Sequence, residues 1–153
     1  MNTTTLCNVT MVTLFAFTSL GAVASLNTRI INMECNTAHF TDESPFADAL
    51  KNSMEVLKGP QVPEETLDHP LVGRSCLTNF FFQAGCSKDI GPEDCAICFS
   101  AIEYRINMLC KNNMGVQLTL QDCKLRYETY TFDGIEEQLD NTGPCPGGGG
   151  SGH

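Results

Sequence analysis

Cysteine constrains this chain more than any other residue: there are nine in 153 residues. Cys7 lies in an apolar leader. The other eight are Cys35, Cys76, Cys86, Cys95, Cys98, Cys110, Cys123 and Cys145. No charged side chain occurs in the first 24 residues, and their apolar run ends in Ala22-Val23-Ala24, the small-residue pattern of a leader cleavage site. Residues 1–24 therefore read as a secretory signal peptide that leaves with Cys7. The run is shorter than the ~20 residues a spanning helix needs, so no membrane span is expected in the mature chain. Eight cysteines then enter an oxidising compartment, and disulfides are the expected outcome. Eight cysteines allow roughly a hundred pairings, so spacing leaves the connectivity open. Both N-x-S/T sequons, at Asn2 and Asn8, fall in the leader.

Apolar residues make up 42% of the chain, enough for one packed core. Nine Lys and Arg stand against 18 Asp and Glu, a formal net charge of −9. That balance excludes a nucleic-acid partner and the cationic style of membrane-disrupting peptides. Ser44-Pro45 has the cap and first-turn chemistry of a helix start, and Phe46, Leu50, Met54 and Leu57 follow at helical spacing. Residues 59–75, rich in Pro and Gly, read as a connecting loop. Residues 77–84, with three consecutive phenylalanines, read as a buried strand. A second helix is predicted from Gly91-Pro92-Glu93-Asp94. Its inner face is Cys95, Cys98, Ile102, Ile106, Leu109 and Cys110, and Asn112 to Gly115 closes it. Two alternating strands follow, around Val116-Leu118-Leu120 and Leu125-Tyr127, and residues 29–35 suggest another. The organisation expected is a leader at 1–24, a cysteine-rich domain at 25–133 and a flexible Gly-rich tail at 134–153.

Three chemistries compete for the cysteines. Cys95-x2-Cys98 has zinc-ligand spacing but lacks a second ligand pair. The same two residues near a helix start suit a thiol redox pair, but no βαβ pattern precedes them. Structural bridging carries most of the weight, and neither metal nor cofactor is expected. His39 and His69 lie in predicted loops with no nucleophile beside them, and Glu64-Glu65 lies in a loop too. Nothing here resembles a catalytic constellation, so the chain is not expected to be an enzyme.

The run Cys86-x8-Cys95-x2-Cys98, then Cys110, then Gln121-Asp122-Cys123-Lys124-Leu125-Arg126-Tyr127-Glu128-x-Tyr130-x-Phe132, resembles the ginkbilobin-type stress-antifungal domain of land plants. The resemblance covers about residues 29–133. It implies an α+β fold: two helices packed on an antiparallel sheet of about five strands. It implies three bridges, Cys35–Cys110, Cys86–Cys95 and Cys98–Cys123. Cys76 and Cys145 are additional; they either bridge each other or leave Cys145 to pair between chains. It also implies a mannose site, with Asn36 and Glu128 at two of its three positions. The third, an Arg in the family, is Gln117 here, which lacks the charged fork of guanidinium; Arg126 is nearby. If Asp122 and Cys123 form a two-residue turn, Gln117 faces Glu128 across the last two strands, ~5 Å apart at Cβ.

Two functional expectations follow from the resemblance. The first is a secreted, mannose-binding antifungal lectin of the plant apoplast, its partner mannose or a fungal cell-wall glycan. The second is a secreted interaction or signalling module of the same fold that has lost mannose binding and engages a protein at the cell surface. Read without the resemblance, Glu128 is a solvated strand residue, Asn36 a turn residue and Gln117 an ordinary exposed one.

Overall fold

Both helices begin at the expected prolines. The computed structural model describes residues 25–60, 70–135 and 139. Helix α1 spans Pro45–Leu57, and the Ser44 hydroxyl accepts the Ala47 N–H at 3.2 Å. It buries Phe46, Met54 and Leu57. Helix α2 spans Pro92–Leu109, with Glu93 and Asp94 in its first turn, where carboxylates complement the helix dipole. Its buried stripe is Cys95, Cys98, Phe99, Ile102 and Ile106. Leu109, expected on that stripe, is 62% exposed. The chain leaves helical geometry at Cys110 and turns at Asn112, whose φ of 60° lies in the left-handed region.

The five strands are β1 (Ile30–Cys35), β2 (Leu71–Ser75), β3 (Phe80–Cys86), β4 (Val116–Leu120) and β5 (Cys123–Glu128). They form one sheet in the order β1-β4-β5-β3-β2, every neighbouring pair antiparallel. The α+β architecture expected from the resemblance is therefore present. Strand β2 lies in a stretch read as loop. It is a short edge strand with Gly73 at its centre, and Gly is a poor strand former. The reason for that glycine is tertiary: the Phe82 ring lies where a Cβ on residue 73 would sit.

One face of the sheet carries the core. Phe80, Phe82 and Ala84 of β3, Val116, Leu118 and Leu120 of β4, and Leu125 and Tyr127 of β5 pack against both helices. Phe46 meets Phe80 edge-on at 5.1 Å, and Phe80 stacks on Tyr127 at 6.0 Å. The expected bridges staple α2 to this face at both ends. Cys86 and Cys123 are opposite each other on β3 and β5, yet each bonds to the helix, to Cys95 and Cys98 respectively. The Cα separations, 5.8 and 6.1 Å, suit a disulfide. Cys35–Cys110 ties the end of β1 to the end of α2. Cys76 is disulfide-bonded as well, while Cys145 lies outside the described residues. No described cysteine is left as a thiol, and Cys95 and Cys98 are bridged to separate strand cysteines rather than to each other.

Packing continues beyond Asp133, where the sequence reading ends the domain. Phe132, Ile135 and Leu139 are buried together against Val72 and Phe81, on the sheet face opposite the helices. Residues 1–24, expected to be a leader, and 136–138 and 140–153 of the tail expected at 134–153 lie outside the described residues.

Candidate functional site

Strand alternation sends Lys124, Arg126 and Glu128 of β5 to the face away from the helices, with Gln117 and Thr119 of β4 beside them. The faces are those read from the sequence, but the register differs by two residues. Gln117 lies opposite Arg126 and Thr119 opposite Lys124, so Gln117 does not face Glu128. The two-residue connection is Gln121-Asp122 rather than Asp122-Cys123, because Cys123 is already the first residue of β5, paired with Cys86. The Asp122 carbonyl accepts the Ser87 N–H at 2.7 Å and its carboxylate accepts the Asn27 N–H at 2.6 Å, while Cys123 is bridged to α2. Because the side-chain period is two, an even shift preserves the faces and changes only the partners.

The shift brings Glu128 alongside Gly115, and Gly115 is where Asn36 arrives. Asn36 follows β1, and its backbone N–H donates to the Gly115 carbonyl at 2.9 Å. Its own carbonyl accepts from the Asn113 side-chain amide. Farther along, Met114 N–H donates to Ala38 and Phe40 N–H to Asn112, so residues 36–40 are zipped to the turn that ends α2. The Cys35–Cys110 bridge anchors the same junction. A Cβ on residue 115 would fall well inside van der Waals contact of both Glu128 Oε2 and Asn36 Nδ2. Glycine at this position is what lets the two side chains both reach it.

Glu128 is only 7% exposed, against the solvated position expected for a charged residue at a strand end. Its Oε1 accepts from Arg126 Nε at 3.4 Å, and the Arg126 guanidinium lies over the Phe132 ring, 4.2 Å from its centroid. Among the described residues, Glu128 Oε2 and Asn36 Oδ1 are both buried and both lack a donor. Two unmatched acceptors on side chains that both reach Gly115 are unusual, because buried polar atoms are nearly always paired. Beneath them, Tyr127 is fully buried and donates its hydroxyl to the Asn113 carbonyl at 3.2 Å. Burial raises the pKa of this phenol strongly, and the adjacent Glu128 carboxylate raises it further.

Of the three residues named from the sequence, the structure brings Asn36 and Glu128 to the same glycine, Gly115. Gln117 lies one row away, between Glu34 on β1 and Arg126 on β5. The cation beside Glu128 is Arg126. Gly115 and Asn113 carry no local signal of a site role, since their roles depend on a pairing between distant segments. The set offers acceptors, amides and a guanidinium, which suits hydrogen bonding to a polyhydroxylated ligand. No group of three His, Cys, Asp or Glu among the described residues is placed to hold a metal.

A family model described as Salt stress response/antifungal matches residues 34–130. The chain belongs to this family. Similar members include antifungal protein ginkbilobin-like protein 1 of Picea glauca, 29% identical over 114 residues, 73% of this chain and 80% of that one. Antifungal protein ginkbilobin-2 of Ginkgo biloba is 28% identical over 108 residues, 69% of this chain and 80% of that one. The fold is similar to the tandem DUF26 ectodomain of the Arabidopsis thaliana cysteine-rich receptor-like protein PDLP8. The TM-score is 0.58 at 21% identity, covering 69% of this chain and 51% of that one. The corresponding ectodomain of PDLP5 gives 0.58 at 20% identity, covering 71% and 53%. This chain spans about half of each tandem ectodomain. No helix among the described residues is long and apolar enough to cross a membrane.

Proposed function

We propose that this member of the Salt stress response/antifungal family is a secreted, non-enzymatic defence lectin. It binds mannose, free or within a fungal cell-wall glycan, at Asn36, Glu128 and the adjoining Gln117–Arg126 pair. The observation that carries this reading is that the Glu128 carboxylate and the Asn36 carboxamide both reach Gly115, each with a buried oxygen, Oε2 and Oδ1, that no donor among the described residues satisfies. Sugar hydroxyls are donors, and a carboxylate next to a carboxamide is a natural acceptor pair for two of them. The names of the antifungal relatives support the defence role, and the apolar leader supports secretion to the apoplast. Gln117 stands where the family resemblance expects Arg. Placed directly opposite Arg126, a second guanidinium would set like charges across the ladder.

The alternative is a protein-interaction module without sugar binding. It is favoured by the exposed Ile97, Tyr104 and Met108 on the outer side of α2, large apolar groups away from the sugar site. A mannose titration of the oxidised mature domain, followed by NMR, separates the two. For the lectin, wild-type shifts centre on Asn36, Gly115 and Glu128, and Glu128→Ala abolishes them. Binding by Gln117→Arg alone would mean a lectin scaffold whose site is inactive in this chain, and the interaction reading would then stand.

A further inference from the structure

We infer that the outer face of β4 and β5 reads an oligosaccharide of two or more units, with one sugar at Asn36–Glu128 and the next over the Thr119–Lys124 row. This rests on the carbohydrate-binding reading above and extends it to ligand size. Along β5 the outward residues Glu128, Arg126 and Lys124 follow at steps of about 7 Å, so the row from Glu128 to Lys124 is about 14 Å long. That is longer than one pyranose ring. A hollow of about 150 Å³, lined by Gln83, Gln117, Thr119, Lys124 and Arg126, adjoins Glu128 through Arg126. Thr119 and Lys124 also line a second hollow of about 340 Å³, with Gly85, Ser87, Lys88 and Gln121. The two hollows therefore adjoin at Thr119 and Lys124. Gly85, opposite Lys124 on β3, has no side chain to fill it.

The chemistry of the groove suits a sugar better than a peptide or a nucleic acid. The side chains of Gln83, Gln117, Thr119, Lys88 and Lys124 have no hydrogen-bond partner among the described residues. They present two carboxamides, a hydroxyl and two ammonium groups, a mixture of donors and acceptors that matches a run of hydroxyls. Asp122 and Asp89 close the far end, Asp122 already accepting from Asn27 and Asp89 in contact with Ser87. The floor is made by β3, β4 and β5, all interior strands, so no free strand edge is offered to a peptide there. A formal charge of −9 disfavours a polyanion.

The test compares mannose, mannobiose and mannotriose on the oxidised protein by calorimetry, with amide shifts recorded for Gly85, Thr119 and Lys124. Wild type should bind the trisaccharide about tenfold more tightly than the monosaccharide, the increment of one or two charge-assisted hydrogen bonds. Lys124→Ala with Thr119→Val, at two surface positions, should remove that gain and leave mannose affinity unchanged. Equal affinity for all three sugars, with shifts confined to Asn36 and Glu128, would overturn the extended groove and leave the single-sugar site standing. Trisaccharide shifts at Thr119 and Lys124 with none at Asn36 or Glu128 would keep the groove and remove the anchor. If none of the three sugars binds, both readings fail together.

Discussion

Strand β5 has two faces, and they do different work. Its inward residues, Cys123, Leu125 and Tyr127, are buried against α2 and the neighbouring strands, where every contact is apolar, covalent or fully hydrogen-bonded. Its outward residues, Lys124, Arg126 and Glu128, form a lane of charge in which one carboxylate oxygen has no donor. The inner face is redundant, held by many side chains and two bridges to α2. The outer face is specific, and its candidate site depends on one glycine and a carboxylate covered by an arginine. Stability and recognition thus occupy alternate residues of the same strand, and substitutions one position apart should separate them.

The largest effect should come from the bridge that joins the two faces at their common corner. Replacing Cys35 and Cys110 together by Ala opens a loop of sequence separation 75 and should cost about 4–5 kcal/mol of stability in denaturant unfolding. Removing Cys86–Cys95, with separation 9, should cost about 2–3 kcal/mol by the same argument. Equal losses would show that strain or contacts at the bridges, rather than loop entropy, dominate.

On β4 the comparison sharpens to adjacent residues. Leu118→Ala, in the core with no exposure, should cost about 3 kcal/mol. Gln117→Ala next to it should stay within about 0.5 kcal/mol while altering sugar affinity. Similar losses at both would mean that the outer face is part of the stabilising structure.

Tyr127 offers a test by pH. Its folded-state pKa is raised above the ordinary phenol value near 10. Above that pH the unfolded chain loses its proton while the folded chain keeps it, so stability must fall as pH rises, by about 1.4 kcal/mol per pH unit. Below the unfolded value the group contributes no pH dependence. Unfolding scans from pH 8 to 12 should show this slope, and Tyr127→Phe should remove it; a slope retained in the variant would place its origin in another group.

A small change in stability, about 1 kcal/mol or less, is expected for Gly115→Ala, because the displaced atoms are ends of side chains rather than backbone. Its effect on the site should be far larger. Asn36 and Glu128 cannot both keep their positions beside a methyl group, so mannose-induced shifts should vanish in a domain that remains folded. Retained binding would show that the sugar is held elsewhere on the sheet.

Much of the fold was legible locally. Ser44-Pro45 and Gly91-Pro92 announced both helix starts, because caps and first-turn prolines act within a few residues. The alternation of β4 and β5 identified their faces correctly, because the pleat has a fixed period. Edge strand β2 was not legible: its short run around Gly73 makes sense only beneath the Phe82 ring. Leu109 was placed inward by helical spacing and is exposed because the chain leaves the helix at the next residue.

The site divides along the same line. The family resemblance named Asn36 and Glu128 from the order of cysteines and the Tyr-Glu pair, and Gln117 with them. Residue identities along a chain carry no information on which distant segments meet. Here that was settled by the Cys35–Cys110 bridge, by Asp122 being held by Ser87 and Asn27, and by the pairing of residues 36–40 with the turn at 112–115. Those long-range contacts moved the register by two and carried Glu128 away from Gln117 to Gly115, which Asn36 also reaches. Local periodicity could assign each side chain to a face because it depends on the pleat alone. The neighbour on that face depends on where the strands are pinned, and only the folded chain contains the pins.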